Sequence, residues 1–265
     1  MPKELDMLCQ EVITIAELAS EKILAIYNTK FDVTKKDDNS PLTEADMEAH
    51  HTITDGLQKL PPDIPILSEE SADIPFATRR QWRRYWLVDP LDGTREFVKR
   101  NGEFTVNIAL IDGHRPVIGV IHTPVTGVCY YAADDLGAFK KLTGQPAVRI
   151  ATRRKQPDHT LVAGSRSHRG DSLNTFLEKI GSFEIINMGS SLKSCLVAEG
   201  KVDIYPRLGP TSEWDTAAAQ CIVENAGGKI VDLLMQPMRY NTKESILNPQ
   251  FLVIGDLSFD WSQYF

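Results

Sequence analysis

The spacing of apolar residues divides the chain into a helical start, a strand-rich middle and a mixed second half. Over residues 5–27 the apolar side chains recur at steps of three and four, which predicts a long amphipathic helix. Thr43 and Asp46 have the spacing of an N-cap and its N3 partner, so a second helix is predicted from there to about residue 60. Residues 31–40 are polar and predict a loop or a hairpin.

From residue 104 the apolar residues alternate with a period of two, which predicts strands joined by tight turns. The predicted strands cover residues 104–111, 116–122, 128–133 and 138–142. Asp112-Gly113 and Thr126-Gly127 are typical of hairpin turns. We therefore expect an antiparallel meander in this part of the chain.

Beyond a polar and basic segment at residues 149–157, the pattern alternates between strand and helix. The predicted strands cover 160–163, 183–187, 202–205, 229–232 and 251–254, and the predicted helices cover 171–180, 190–199 and 214–225. We therefore expect an α+β domain over residues 1–152, followed by a smaller α/β domain over residues 153–265.

Two of the predicted strands end in acidic residues. Residues 64–68 lead into Glu69-Glu70, and residues 85–88 lead into Asp89-Pro90-Leu91-Asp92-Gly93-Thr94. Pro90 has no N–H and is expected to end its strand, and the charged segment 71–84 is expected at the surface. If the two strands are neighbours, their carboxylates meet, and the repulsion between them favours a bound cation. Ligands that are all oxygen suit Mg²⁺ or Mn²⁺.

The end of the same motif predicts a phosphate site. The N–H groups of Gly93 and Thr94 suit a phosphate, and Thr94 is placed to cap a short helix predicted at 95–100. The motif therefore indicates a metal site that faces a phosphate site. Asp-Pro and Asp-Gly are also common in turns, so an ordinary turn is the alternative interpretation.

The second half offers three further candidates, each with a structural alternative. Gly189-Ser190-Ser191-Leu192-Lys193 opens a predicted helix and is either an anion site or an ordinary helix cap. Arg207 is either exposed or a bidentate phosphate ligand. Asp215 lies near a helix N-terminus, where the helix dipole alone favours an acid.

Composition narrows the class of protein. The 265 residues are 42% hydrophobic with a net charge of −7, which is ordinary for a globular protein and argues against binding of a nucleic-acid polymer. A small anionic substrate is compatible with this charge because metal ions reverse the local field. The four cysteines form no C-x-x-C pair and are expected to be buried thiols in a reducing compartment. We find neither a signal-peptide pattern nor an apolar run of membrane-spanning length, and therefore expect a cytoplasmic protein.

Four motifs occur in order along the chain: Thr43 with Asp46, Leu67-Ser68-Glu69-Glu70, Asp89 to Thr94, and Trp214-Asp215. With them the chain resembles the lithium-sensitive, magnesium-dependent phosphatases that include inositol monophosphatase. Within that superfamily, segments 85–94, 100–107, 189–193 and 196–200 are similar to the bacterial 3′(2′),5′-bisphosphate nucleotidases. The resemblance implies a layered αβαβα sugar-phosphatase fold. Some relatives are assigned to the inner face of the bacterial membrane, although no amphipathic anchor in this sequence requires that location.

The resemblance also implies a set of metal ligands. Glu69, Asp89 and the backbone carbonyl of Leu91 would hold one Mg²⁺, and Asp89, Asp92 and Asp215 would hold a second. A third ion near Glu69 and the replacement of Mg²⁺ by Mn²⁺ are compatible with these ligands. Two ions a few ångströms apart suit an in-line displacement at phosphorus.

By the same resemblance, Thr94 and Asp46, assisted by Glu69, would orient and deprotonate the attacking water. Gly93 and Thr94 would hold the phosphate that is cleaved. The residues implied to contact the substrate are Glu69, Leu91, Asp92, Gly93, Thr94, His168, Ser190, Lys193, Arg207, Glu213 and Asp215.

The implied reaction is hydrolysis of adenosine 3′,5′-bisphosphate to AMP and phosphate, with the sulfate donor PAPS as a related substrate that gives APS. Such an activity belongs to sulfur assimilation and nucleotide recycling. One alternative is the same chemistry on inositol monophosphate or a sugar bisphosphate. A more remote alternative is a nucleotide sensor without catalytic activity, against which the complete set of acidic residues argues.

Overall fold

The structure, a computed structural model, describes residues 2–29, 34–35, 41–42, 44–165 and 171–264. Thr43 and His168 lie outside the described residues, so the predictions made for them stay predictions. The helices are α1 Pro2–Tyr27, α2 Glu44–Gln58, α3 Phe76–Arg79, α4 Thr94–Val98, α5 Asp171–Ile180, α6 Leu192–Ala198 and α7 Ala217–Asn225. Short 3-10 helices cover Glu69–Ser71, Glu213–Asp215 and Trp261–Tyr264.

The strands form two large sheets and one small hairpin. The hairpin pairs β1 (Thr34–Lys35) with β2 (Pro41–Leu42). The strands of the first sheet are β3 Ile66–Ser68, β4 Arg84–Asp92, β5 Thr105–Asp112, β6 Arg115–Thr123, β7 Val128–Ala133, β8 Gly137–Lys141 and β9 Val148–Ile150. Those of the second sheet are β10 Thr160–Ser165, β11 Phe183–Met188, β12 Ile204–Arg207, β13 Lys229–Asp232 and β14 Phe251–Ile254.

The first sheet has seven strands in chain order, β3 to β9. Only β3 and β4 run parallel, and every later pair is antiparallel. This confirms both the predicted meander and the predicted neighbourhood of the two strands that end in acids. The strand β9 overlaps the start of the polar segment at 149–157, where no strand was predicted.

The second sheet has five strands in the order β11-β10-β12-β14-β13. Strand β10 runs parallel to β11 and β12, whereas β14 is antiparallel to β12 and β13. Crossovers through α5 and α6 connect the parallel strands, as parallel pairing requires. The mixed α/β character predicted for this half is confirmed.

Five layers result, because each sheet buries both of its faces. Helices α1 and α2 cover one face of the first sheet, α6 and α7 lie between the two sheets, and α5 covers the outer face of the second sheet. On β6, a Cβ atom at Gly119 would lie 2.3 Å from the carbonyl oxygen of Ala218, so only glycine lets α7 approach this closely. The predicted αβαβα layering is confirmed.

Three local predictions were wrong. Strand β4 continues through Pro90 to Asp92. Its pairing with β3 stops at Val88, so beyond that residue β3 requires no N–H donor from β4, and a proline is tolerated. The segment 71–84 is not all surface, since Arg79 is 3% exposed. The helix predicted over 214–225 is a 3-10 turn followed by α7.

Among the described helices, none combines the length and the apolar character needed to cross a membrane. The longest, α1, is amphipathic and buries one face against the first sheet. All four cysteines are free and buried, as predicted.

Candidate active site

The predicted acidic strand ends lie side by side. Strands β3 and β4 are parallel, with Ser68 opposite Val88, so both chains leave the sheet at the same edge. Glu69 begins the 3-10 turn directly after β3 and is exposed, whereas Asp89 on β4 is 1% exposed. Sheet pairing therefore fixes Asp89, while Glu69 stands where the chain turns out of the sheet.

A β-bulge sets the spacing of the two aspartates on β4. Asp89 pairs with Asn107 and Asp92 with Thr105, so two residues of β4 face one residue of β5. The backbone N–H of Leu91 donates to the Asp89 carboxylate at 3.1 Å inside this bulge. Pro90 and Leu91 thus redirect β4 without ending it, and both carboxylates remain on a paired strand.

Asp215 joins these two aspartates from the second half of the chain. Asp89, Asp92 and Asp215 each present a carboxylate oxygen, and these oxygens lie within 4.8 Å of one another. The Ser212 N–H donates to Asp215 Oδ2 at 2.7 Å and so orients this carboxylate. Residues separated by more than 120 positions in the sequence therefore form one acidic cluster.

The cluster is electrostatically unfavourable without a cation. Burial, followed by the charge of Glu69, raises the pKa of Asp89 well above its ordinary range. Burial, followed by the charge of Asp92, raises the pKa of Asp215 to about 7. A divalent ion would remove both the repulsion and the unmet solvation of these carboxylates. An all-carboxylate donor set of this kind fits a hard cation such as Mg²⁺.

Asp92 is held by the loop that precedes α6. Its Oδ2 accepts hydrogen bonds from Ser190 Oγ at 2.6 Å, Ser191 N at 2.7 Å and Ser191 Oγ at 2.8 Å. The Oγ atoms of Thr105 and Ser190 lie 2.6 Å apart, and Asn107 Nδ2 donates to Ser191 Oγ at 3.0 Å. This network ties the loop at 190–191 to a predicted metal ligand.

Lys193 and Arg207 line the same cavity as two of the acids. The cavity has a volume of about 220 Å³, and both Lys193 and Arg207 line it together with Asp92 and Asp215. Lys193 is 5% exposed, and burial lowers its pKa to about 8. Its Nζ donates to the Ser190 carbonyl at 2.5 Å and lies 5.4 Å from the centre of the Tyr205 ring.

Arg207 is only partly satisfied by the protein. Its Nη2 donates to the Pro210 carbonyl at 2.9 Å, while its buried Nε has no hydrogen-bond partner among the described residues. Since Arg207 also lines the cavity, its guanidinium charge favours an anion there. The alternative in which Arg207 is fully exposed does not hold, since the residue is partly buried.

The two residues that end the motif on β4 also line this cavity. Gly93 has φ +97° and stands at the N-cap of α4, and Thr94 is the first residue of that helix rather than its cap. The left-handed backbone at this position favours glycine. Asp46 lies in the first turn of α2, 6% exposed, and its negative charge contributes to the raised pKa of Asp89.

Glu213 is not brought to the cavity. It is 1% exposed, and its Oε2 accepts the Asn241 N–H at 2.8 Å. It does not belong to the residues that line the cavity, in contrast to its neighbour Asp215.

Several residues of the site were not singled out in the sequence. Thr105, Asn107 and Tyr205 support or line it. A signal for the first two existed, because a threonine and an asparagine interrupt an otherwise apolar strand. No sequence signal showed that they would contact a loop some 85 residues away.

Comparison with known proteins gives the family. A family model described as "Inositol monophosphatase family" matches residues 4–256. The chain belongs to the inositol monophosphatase family. Enzymes of this family are metal-dependent, in agreement with the acidic cluster at Asp89, Asp92 and Asp215.

Curated relatives cover nearly the whole chain. The 3′(2′),5′-bisphosphate nucleotidase CysQ of Escherichia coli strain K12 is 48% identical over 252 residues, which are 94% of this chain and 98% of the relative. The protein of the same name from Aggregatibacter actinomycetemcomitans is 43% identical over 267 residues, 100% of this chain and 99% of the relative.

Solved structures share the fold. CysQ from Bacteroides thetaiotaomicron superposes with a TM-score of 0.83 at 43% identity and covers 94% of this chain and 97% of its own. The Thermotoga maritima IMPase superposes with a TM-score of 0.76 at 25% identity, over 96% of this chain and 92% of its own.

Proposed function

We propose that the protein is a metal-dependent 3′(2′),5′-bisphosphate nucleotidase that hydrolyses adenosine 3′,5′-bisphosphate to AMP and phosphate. PAPS, which would give APS, is a second substrate of the same class. The observation that carries this proposal is that Lys193 and Arg207, here called the cationic wall, line one cavity together with Asp92 and Asp215. These two acids belong to the acidic wall, which is the cluster of Asp89, Asp92 and Asp215 with Glu69. A substrate with two phosphates can place one at the metal ions and the other at Lys193 and Arg207. The nucleotidase name of the relatives over the full length of the chain supports the same activity.

The acidic wall is proposed to hold two Mg²⁺ ions, for which Mn²⁺ can substitute. Glu69, Asp89 and the Leu91 carbonyl would hold one ion, and Asp89, Asp92 and Asp215 would hold the other. A third ion near Glu69 is compatible with its exposed carboxylate. When bound, the ions acidify a water molecule and neutralise charge on the phosphate that is cleaved.

The protein's own groups then position the reactants. The N–H groups of Gly93 and Thr94, at the start of α4, are proposed to hold the phosphate that is cleaved. Thr94 and Asp46, with Glu69, are proposed to orient the attacking water and to accept its proton. Asp46 suits this task because it is buried close enough for its charge to act on Asp89.

The cationic wall is proposed to select the substrate. A Lys193 with a pKa of about 8 remains about 90% protonated at pH 7 and offers a desolvated charge. Arg207 adds a second positive charge, and Ser190 borders the same cavity. Hydrogen bonds between charged groups in such a site are stronger than those between neutral groups. A role for His168 and for Glu213 in substrate binding is not part of this proposal.

The alternatives fit less well. An inositol monophosphate has a single phosphate and would make no use of Lys193 and Arg207 as partners for a second one. A sensor without catalysis has no use for the complete set of Asp46, Glu69, Asp92 and Asp215. The small cavity and the net charge of −7 favour a free nucleotide over a nucleic-acid polymer.

Turnover of adenosine 3′,5′-bisphosphate and of inositol 1-phosphate, measured side by side with Mg²⁺, tests this function. We expect kcat/KM to favour the nucleotide by about 100-fold, because the second phosphate forms charge-assisted contacts worth about 3 kcal/mol. Equal turnover, or a preference for inositol phosphate, would contradict the proposal. No turnover of either substrate with Mg²⁺ or Mn²⁺ would favour the sensor.

A further inference from the structure

A buried polar network adjoins the 3-10 turn that carries Asp215. It lies outside the cavity, and the proposed chemistry does not use it. Its members are Arg79, Glu213 and Asn241, which are 3%, 1% and 2% exposed. They come from three distant parts of the chain. Arginine and glutamate are rarely this deeply buried, and a buried charge is costly unless it is paired and hydrogen-bonded. The network therefore needs an explanation.

Arg79 joins two segments that are far apart in sequence. It lies at the end of α3, which follows the 3-10 turn that begins with Glu69. Its Nη1 donates to Asn241 Oδ1 at 2.5 Å, and its Nη2 donates to the carbonyls of Lys243, at 3.1 Å, and Glu244. The guanidinium thereby fixes the irregular segment 241–244 against the connection between β3 and β4.

Asn241 connects Arg79 to the 3-10 turn that contains Asp215. Its side-chain Nδ2 donates to the Arg79 carbonyl at 2.6 Å, so the two residues grip each other in both directions. Its backbone N–H donates to Glu213 Oε2 at 2.8 Å. The residue has φ +55°, a left-handed conformation that asparagine tolerates better than most residues. Backbone conformation and side-chain bonding together suit asparagine here.

Glu213 lies in the same 3-10 turn as the predicted metal ligand Asp215. It opens the three-residue 3-10 turn that ends at Asp215, and its own N–H donates to the Ile246 carbonyl at 2.9 Å. Its Oε1 is buried and has no hydrogen-bond partner among the described residues. The hydroxyl of Tyr85, on β4, is buried without a partner in the same way. The carboxylate thus points into the protein, between β4 and segment 241–244.

We propose that Glu213, held by Asn241 and Arg79, is a positioning residue that fixes Asp215 against the β4 carboxylates. This inference rests on the proposed function, because it takes Asp215 to be a metal ligand. It replaces the substrate contact that the resemblance implied for Glu213. Groups that orient a metal ligand from behind typically change metal affinity by about 10- to 100-fold when they are removed.

The test is Mn²⁺ binding, measured by electron paramagnetic resonance on the full-length protein without substrate. We expect Glu213→Ala to weaken Mn²⁺ binding by about tenfold or more. Glu213→Gln should stay within about threefold of wild type, because the amide oxygen still accepts the Asn241 N–H. In steady-state assays Glu213→Ala should regain kcat at high Mg²⁺, and its KM for the nucleotide should be unchanged.

Two further variants make the outcome decisive. Arg79→Met breaks the network at its other end and should also weaken Mn²⁺ binding, so it serves if Glu213→Ala does not fold. Val231→Ala, in the outer core of the second sheet, lowers stability by enlarging a cavity but should leave Mn²⁺ binding unchanged.

The contrary results are distinct. If Glu213→Ala and Glu213→Gln both raise KM and leave Mn²⁺ affinity unchanged, Glu213 contacts the substrate and the inference is wrong. If Asp215→Asn weakens Mn²⁺ binding while Glu213→Ala and Arg79→Met do not, only the positioning role fails. If Asp215→Asn itself has no effect on Mn²⁺ binding, the metal assignment in the proposed function fails, and the positioning role fails with it.

Discussion

The two walls of the cavity carry opposite charge and are built by different kinds of local structure. The acidic wall centres on a paired strand, where Asp89 and Asp92 flank a β-bulge, and Glu69 and Asp215 join them from other elements. The cationic wall has no such base, since Lys193 stands on α6 and Arg207 ends β12 of the other sheet. The acidic wall thus rests on a contiguous motif completed by Asp215 from the second half of the chain, whereas the cationic wall is formed by two separate elements within that second half.

The walls also differ in how their charge is compensated. The carboxylates repel one another, and their raised pKa values show that the metal-free site disfavours ionisation. Lys193 instead donates to the Ser190 carbonyl and is stabilised by the charge of Asp92. We infer that the acidic wall requires a ligand to be stable in its charged form, whereas the cationic wall is largely pre-formed. The loop at 190–191, bonded to Asp92, couples the two walls.

The largest loss of kcat is expected for a substitution on the acidic wall. Asp92→Asn removes a metal ligand's charge and should lower kcat by about 1000-fold or more, equivalent to about 4 kcal/mol, while the fold is kept. Turnover of adenosine 3′,5′-bisphosphate and circular dichroism would measure the two effects. Asp112→Asn is the matched control, because Asp112 pairs with Arg84 at the far end of β5 and should leave kcat near wild type. Unchanged turnover in Asp92→Asn would refute the metal assignment.

A smaller and selective loss is expected on the cationic wall. Lys193→Met should lower kcat/KM for adenosine 3′,5′-bisphosphate by about 10- to 100-fold, since it removes a charge-assisted contact to the second phosphate. The same variant should change turnover of adenosine 3′-monophosphate by less than about threefold. Steady-state kinetics on both nucleotides would measure this difference. An equal loss on both would mean that Lys193 acts on the acidic wall and not on the second phosphate.

The pH dependence of metal binding separates the two walls further. With the pKa of Asp215 at about 7 and that of Asp89 also raised, the ion must displace protons below pH 7. Mg²⁺ affinity, measured by calorimetry, should therefore fall between pH 7 and pH 5 by at least about tenfold per pH unit, which is the slope for displacement of one proton. Affinity that does not vary over this range would show that the acids are already ionised without metal.

The same shifts set the sign of a stability effect. A carboxyl pKa raised by folding means that the native metal-free protein holds a proton that the unfolded chain has lost. The contribution of Asp215 is therefore most favourable below about pH 4 and is lost as the pH rises through 7. Urea unfolding at pH 5 and pH 8 should show that Mg²⁺ stabilises the protein more at pH 8.

The smallest effect on activity should come from a residue on neither wall. Burial lowers the pKa of His122 to about 4, and its Nδ1 lies 2.6 Å from Ser20 Oγ between β6 and α1. As the pH falls, the imidazole of His122 is protonated in the unfolded chain before it is protonated in the native protein. The free energy of unfolding that depends on neutral His122 is therefore lost as the pH falls from 6.5 towards 4. In His122→Gln, the midpoint of urea unfolding should vary less with pH over this range. The kcat at pH 7 should stay within about twofold of wild type. A large loss of kcat would place His122 in the site.

How much of the fold was predictable depends on the range of the interactions involved. Local periodicity was enough for α1, the meander and the alternation of the second half. The bulge at Pro90 was not predictable, because it depends on where β3 stops along the edge of β4. The burial of Arg79 depends on Asn241, 162 residues later, and no local pattern reports such a contact.

The candidate site divides in the same way. Asp89, Asp92, Gly93 and Thr94 were found from a contiguous motif, because the motif and the strand that carries it are one local unit. The family resemblance implied that Glu213 contacts the substrate, yet Glu213 does not line the cavity that Asp215 lines. The proposed division into residues 1–152 and 153–265 stays a prediction.

The most direct test of the account is a crystal structure of the protein with Mn²⁺, AMP and phosphate. We expect anomalous density for the ion between Asp89, Asp92 and Asp215, with the 5′-phosphate of AMP at Lys193 and Arg207. Metal density away from these carboxylates, or AMP bound with its phosphate far from both cations, would contradict it.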